Sequence, residues 1–132
     1  MKTVQYLLDK KGTTVHSIDP LETVYEAIRI MQEKNIGALV VLVENFIVGI
    51  VSERDYVRKV ILDHTASKET RVSEIMTREV VTVTTETSVS DCFRLMRDHH
   101  IRHLPVVENR IVLGIISLRD LFVEVTQQQD ND

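Results

Sequence analysis

Gly49-Ile50-Val51-Ser52-Glu53-Arg54-Asp55 returns later in the chain as Gly114-Ile115-Ile116-Ser117-Leu118-Arg119-Asp120. Working outward from this pair, residues 18–60 align with 83–125 without a gap. Beyond the core motif the identities include Val24/Val89, Arg29/Arg94, Met31/Met96, Ile36/Ile101, Leu39/Leu104, Val41/Val106 and Val60/Val125. Many other positions exchange one apolar residue for another. A tandem repeat predicts two similar units packed about a pseudo-twofold axis, and any cleft between them then exists in two related copies.

The chain has 132 residues, the size of one compact domain. A single repeat of about 55–65 residues supports only a marginal core, so the pair is the expected folding unit. The net charge of −4 gives no electrostatic reason to bind nucleic acid or an anionic membrane. The longest apolar run, Ala38–Val43, is far shorter than a membrane span. Residues 1–12 carry Asp9, Lys10 and Lys11 without a long apolar core, unlike a secretory signal. A lone Cys92 forms no internal disulfide and fits a reducing compartment. The expected location is the cytoplasm; a processed organelle protein would share this composition.

Each unit reads as β-α-β-β-α, an α+β fold class. Thr14–Ile18 and Val80–Thr84 are short β-type stretches. Helices follow, opened by Thr23 with Glu26 and by Ser88 with Asp91, which have the spacing of capping boxes. Their apolar positions, Val24, Ala27, Ile28, Met31 and Val89, Cys92, Phe93, Met96, fall at i, i+3, i+4, i+7, one buried helical stripe. Ala38–Val43 and Leu104–Val107 read as buried strands. Glu44-Asn45 and Glu108-Asn109-Arg110 are hairpin turns, and Phe46–Val51 and Ile111–Ile116 are the return strands. Second helices start at Ser52 and Ser117. The expected division is a first repeat over 3–62, a linker over 63–71, a second repeat over 72–126 and a flexible tail over 127–132.

The repeated motif carries the chemistry. Ser52 with Asp55, and Ser117 with Asp120, have the spacing of helix N-caps. Capping explains neither the recurrent arginine (Arg54, Arg119) nor the glycine three residues before each serine. A ligand site uses all four. Glycine would admit a flat ring or sugar, and helix-start N–H groups favour a phosphate. Serine adds a hydroxyl, arginine a guanidinium fork, and aspartate acceptors for two ribose hydroxyls. No Ser/His/Asp or Cys/His constellation and no Walker loop is present, so an enzyme is not expected. Cys92 falls on the buried stripe as a small core residue. His99, His100 and His103 cross from a helix end into a strand, where their rings should diverge, so no metal site is expected.

The doubled unit, Glu74-Ile75-Met76-Thr77, Ile101-Arg102-His103-Leu104-Pro105-Val106-Val107 and both Gly-h-h-Ser-x-Arg-Asp segments together resemble a tandem cystathionine-β-synthase (CBS) domain pair, or Bateman module, of the stand-alone signal-transduction type. The resemblance covers residues 3–125. It implies two pseudo-symmetric sites for adenine nucleotides: AMP first, then ADP, ATP or NAD(H), with S-adenosylmethionine as an alternative. One site would set Ser52, Arg54 and Asp55 against Val81, Thr82, Val83, Arg102, His103, Leu104 and Pro105. The other would set Ser117, Arg119 and Asp120 against Val15, His16, Ser17, Gly37, Ala38 and Leu39. It also implies helix-mediated homodimers.

Arg58 and Lys59 follow the first motif where Val123 and Glu124 follow the second. Coulombic reasoning from the sequence therefore favours the Asp55 site for a charged phosphate. The expected function is a non-catalytic nucleotide sensor, with no resident cofactor, that signals to an effector protein in trans. The alternative is an interaction or dimerisation module that binds no nucleotide. Neither reading calls for a membrane or nucleic acid.

Overall fold

A computed structural model describes residues 2–63 and 66–130, the side chains of 128–130 excepted. The chain forms two compact units, one of His16–Val80 and the other of Met1–Val15 with Val81–Asp132. This division in space differs from the division in sequence. The first fifteen residues, expected mostly in the first repeat, belong to the unit of the second.

In the first-repeat unit, β1 (Ser17–Ile18) pairs in parallel with β2 (Ala38–Val43), which pairs antiparallel with β3 (Phe46–Ser52). Helix α2 (Val24–Lys34) connects β1 to β2. It starts where Thr23 Oγ1 accepts the Glu26 N–H at 3.1 Å and ends at Asn35, left-handed at φ 55°. Val24, Ala27 and Met31 are the buried stripe that the spacing predicts. The return arm of the capping box goes elsewhere: the Glu26 carboxylate takes two bonds from Arg29, at 2.6 and 2.9 Å. Glu44 and Asn45 turn the hairpin at φ 51° and 71°, the doubly positive geometry that matches strand twist.

The second-repeat unit repeats these devices. Ser88 caps α5 (Val89–His99), which ends at His100 with φ 55°. Strand β4 (His103–Glu108) pairs antiparallel with β5 (Ile111–Ser117) through a turn at Asn109 and Arg110, φ 53° and 68°. Both hairpins break register at the same place, between Val41 and Leu42 and between Val106 and Val107. The predicted stretch Val80–Thr84 contributes one parallel bridge, Val83 to Val106.

The second helices differ. Helix α3 (Glu53–Tyr56) widens into a π-helix over Val57–Ile61, with the Leu62 N–H donating to Val57 O at 3.2 Å. Helix α6 (Leu118–Asp130) is a regular α-helix. The tail expected from 127 is therefore helical to Asp130; 131 and 132 lie outside the described residues, as do 64 and 65 of the expected linker. Gln127–Gln129 have good helix propensity, and composition alone hid that.

The lead-in segments change places. Helix α1 (Val4–Lys11), ahead of the first repeat, buries Val4, Leu7 and Leu8 among Leu104, Val106, Ile116 and Leu121 of the second. Helix α4 (Val72–Ile75), which leads into the second repeat, buries Val72 and Ile75, with Met76 just after it, among Leu39, Val41, Val51 and Val60 of the first. The same i, i+3, i+4 spacing serves both.

Candidate functional site

Both Ser-x-x-Asp pairs form complete capping boxes. The Ser52 N–H donates to Asp55 Oδ2 at 2.9 Å, and the Asp55 N–H donates to Ser52 Oγ at 3.2 Å. In the second copy the distances are 2.8 and 3.1 Å. The first amide of each helix is also taken: Glu53 N–H donates to Gly37 O at 3.1 Å and Leu118 N–H to Arg102 O at 2.8 Å. The first and third amides at each helix start are thus bonded inside the fold. The expectation of an open amide cradle for phosphate is corrected accordingly.

Each aspartate also holds a lysine. Asp55 Oδ1 lies 3.2 Å from Lys59 Nζ, one turn along, and Lys59 also donates to Ile75 O at 2.9 Å. Asp120 Oδ2 lies 2.6 Å from Lys11 Nζ, which also donates to Ile115 O at 2.8 Å. Lys11 stands at the end of α1, 109 residues from Asp120. Sequence reasoning missed it because no local pattern ties it to the motif; only the exchange of lead-in helices brings it there.

In the second-repeat unit, Arg102, His103, Ser117, Leu118, Arg119, Phe122, Val123, Thr126 and Gln127 line an open cavity of about 660 Å³. His103 pairs in register with Ser117, which brings the start of β4 beside the start of α6. Burial, joined by the charges of Lys11 and Arg102 and opposed by Asp120, pushes the His103 imidazole down to about 4. It is neutral at physiological pH and can donate or accept a hydrogen bond without adding charge. His99 and His100 are exposed at the end of α5. Among the described residues no three His, Cys, Asp or Glu side chains gather closely enough for a metal ion. Cys92 is fully buried, and burial pushes its thiol up to about 11, which makes it a core residue without thiolate reactivity.

Arg102 and His103, expected opposite Ser52, line one cavity with Ser117 and Arg119 of their own unit. Likewise Ala38 pairs in register with Ser52. Leu39, Leu104 and Val83 belong to the buried cores, and Pro105 is buried too, so these side chains offer a ligand little surface. Val15 and His16 are half-buried, and Ser17, Arg54 and Thr82 are exposed.

The glycines were read as room for a ligand; the space already has an owner. A Cβ on Gly49 would stand 2.7 Å from Met76 Sδ and 3.0 Å from Thr77 O, and one on Gly114 would stand 2.6 Å from Leu8 Cδ2. The lead-in segments sit where the sugar was expected.

The charge comparison between the two motifs also changes. Glu124, counted against the second, is 5% exposed and bonded to Lys2 at 2.5 Å and Lys10 at 3.2 Å. These bonds, Lys2 first, hold its carboxyl below the usual carboxylate range against the opposing effect of burial. Glu124 is thus compensated, and Lys11 adds a cation beside Asp120 that lies outside the motif.

The CBS domain family model matches residues 12–62 and 72–126: the chain belongs to the CBS-domain family and carries a pair of these domains, as a class regulatory and ligand-binding. It is 41% identical over 112 residues to the mitochondrial CBS domain-containing protein CBSX3 of Arabidopsis thaliana, covering 81% of this chain and 54% of that protein. The chain therefore spans about half the length of that relative. A proposed signal-transduction protein with CBS domains from Burkholderia ambifaria MC40-6 superposes with a TM-score of 0.94 at 44% identity, over 97% of this chain and 96% of the other. A hexameric CBS-CP12 protein from bloom-forming cyanobacteria superposes with a TM-score of 0.82 at 34% identity, over 92% and 71%.

Proposed function

We propose that this CBS-domain pair is a non-catalytic sensor that binds an adenine nucleotide, AMP first, and reports occupancy to a partner in trans. One observation carries the reading. Arg102, Arg119 and Ser117 line a single cavity, and the Lys11–Asp120 ion pair adjoins it through the bonds between Asp120 and Ser117, in a chain of net negative charge. Guanidinium and ammonium groups suit a phosphate. A carboxylate suits a ribose diol. Leu118, Phe122 and Val123 supply apolar wall for a base, and the volume lies in the range of small-molecule sites. The cations disfavour the sulfonium of S-adenosylmethionine. Signalling requires that the ligand prefer one of two arrangements of the protein.

A nucleotide-free interaction module is the second reading. It draws on Phe122 and Val123, 56% and 46% exposed, and on the capping boxes, which are complete without a ligand. The hexameric cyanobacterial relative makes self-association a natural companion of either reading. Among the described residues no helix is long and apolar enough to cross a membrane. We place the protein in the cytoplasm, with an organelle interior as the alternative that the mitochondrial plant relative suggests.

Calorimetric titration of nucleotide-stripped protein with AMP, ADP, ATP, NAD(H) and S-adenosylmethionine tests the reading. Micromolar AMP binding is expected, weakened at least about tenfold by Asp120→Ala, the loss of a charged hydrogen-bond partner, and less by Asp55→Ala. No heat with any ligand from folded protein would leave the interaction module.

A further inference from the structure

We infer that Lys11, delivered by the N-terminal helix, is the residue that makes the Asp120 site select a ligand with a phosphate over the bare nucleoside. The inference rests on the nucleotide-binding reading above and names how that site chooses.

The Lys11 ammonium is held by Asp120 Oδ2 at 2.6 Å and Ile115 O at 2.8 Å. It stands close enough to His103, a cavity-lining residue, to bear on its charge. Its neighbour Lys10 reaches Glu124 at 3.2 Å and the cavity-lining Gln127 at 3.2 Å, and Lys2 holds Glu124 from the other end of α1. The helix is therefore fastened along one face of α6, and Lys11 is bonded to Asp120, which in turn bonds Ser117 of the cavity lining. The side chain is about one-third exposed, at 33%, and its four-carbon stem lets the ammonium swing between partners.

An ion pair of this kind is exchanged best by a ligand that serves both ends. A nucleoside offers hydroxyls to Asp120 but leaves the ammonium only Ile115 O and water. Inorganic phosphate takes the ammonium but strands the carboxylate. Either ligand alone forfeits one charge-assisted hydrogen bond that the other end of the pair could make. A nucleoside monophosphate replaces both partners at once: its ribose hydroxyls donate to Asp120, and its phosphate oxygens accept from Lys11.

The test is titration of wild type, Lys11→Met, Lys11→Arg and, as a control in the other unit, Lys34→Met with adenosine, AMP and inorganic phosphate, each protein first shown to be folded by circular dichroism. Wild type is expected to prefer AMP to adenosine by at least about tenfold, one charge-assisted contact. Lys11→Met should close that gap by weakening AMP while adenosine is unchanged or tighter, Lys11→Arg should restore it, and Lys34→Met should keep it. An unchanged AMP-to-adenosine ratio in Lys11→Met, with AMP still bound, would overturn the role of Lys11 and spare the sensor. Binding of neither ligand by wild type would overturn both.

Discussion

Gly49 and Gly114 show how much a residue's meaning depends on what stands opposite. Both recur at the same place in the repeat, and both look from the sequence like openings for a ligand. Each instead receives a side chain from a lead-in segment, Met76 or Leu8. The two are unequal, because Gly49 also faces the backbone oxygen of Thr77, which accepts the Ile50 N–H at 3.0 Å. A methyl at Gly114 displaces the end of a flexible leucine; a methyl at Gly49 presses on a hydrogen-bonded carbonyl. Gly49→Ala should therefore cost about 1–3 kcal/mol, as overpacking does, and Gly114→Ala less. Urea denaturation of both variants checks the order. The caps, turns and buried stripes were legible because they are local: Ser52 finds Asp55 three residues on, and Asn109 turns its own hairpin. Lys11 was not, because no local rule points from the end of α1 to Asp120.

At the level of elements, the fastening of α1 depends on one buried carboxylate. Glu124 receives Lys2 and Lys10, and both ammonium groups also lie over the Tyr6 ring, at 4.5 and 5.0 Å. Glu124→Gln keeps the shape and removes the charge. Hydrogen exchange of the Val4–Lys11 amides should then quicken, while amides of the β2–β3 hairpin keep their protection. Equal protection of α1 in both proteins would mean that Val4, Leu7 and Leu8 hold the helix unaided. The helix itself was only half legible. Its apolar spacing was visible, but a sequence names no partner for an apolar face. The π-helix over Val57–Ile61 was hidden for a related reason: the aligned residues 122–126 build an ordinary α-helix, so the repeat itself argues for regularity there.

The molecule as a whole is two cores, each closed by a segment that precedes the other repeat. Destabilisation should therefore appear where sequence proximity does not place it. Leu7→Ala removes a side chain buried against the second repeat, and Ile75→Ala removes one buried against the first. Each should cost about 2–5 kcal/mol. Exchange-detected opening should concentrate in β4–β5 for Leu7→Ala and in β2–β3 for Ile75→Ala. The reverse pattern would contradict the exchange. The doubled fold class could be read from sequence because both copies keep their apolar periods. The crossing could not, because a repeat aligned to itself says nothing of which core each lead-in joins.

That crossing also sets a clock on biosynthesis. Helix α1 is made before the strands that cover it, and Lys11 bonds to Ile115, 104 residues downstream. At cellular elongation rates the delay is roughly 5–20 s. Throughout it Val4, Leu7 and Leu8 have no native surface to cover them, and nascent-chain chaperones would find an apolar helix waiting for strands not yet made.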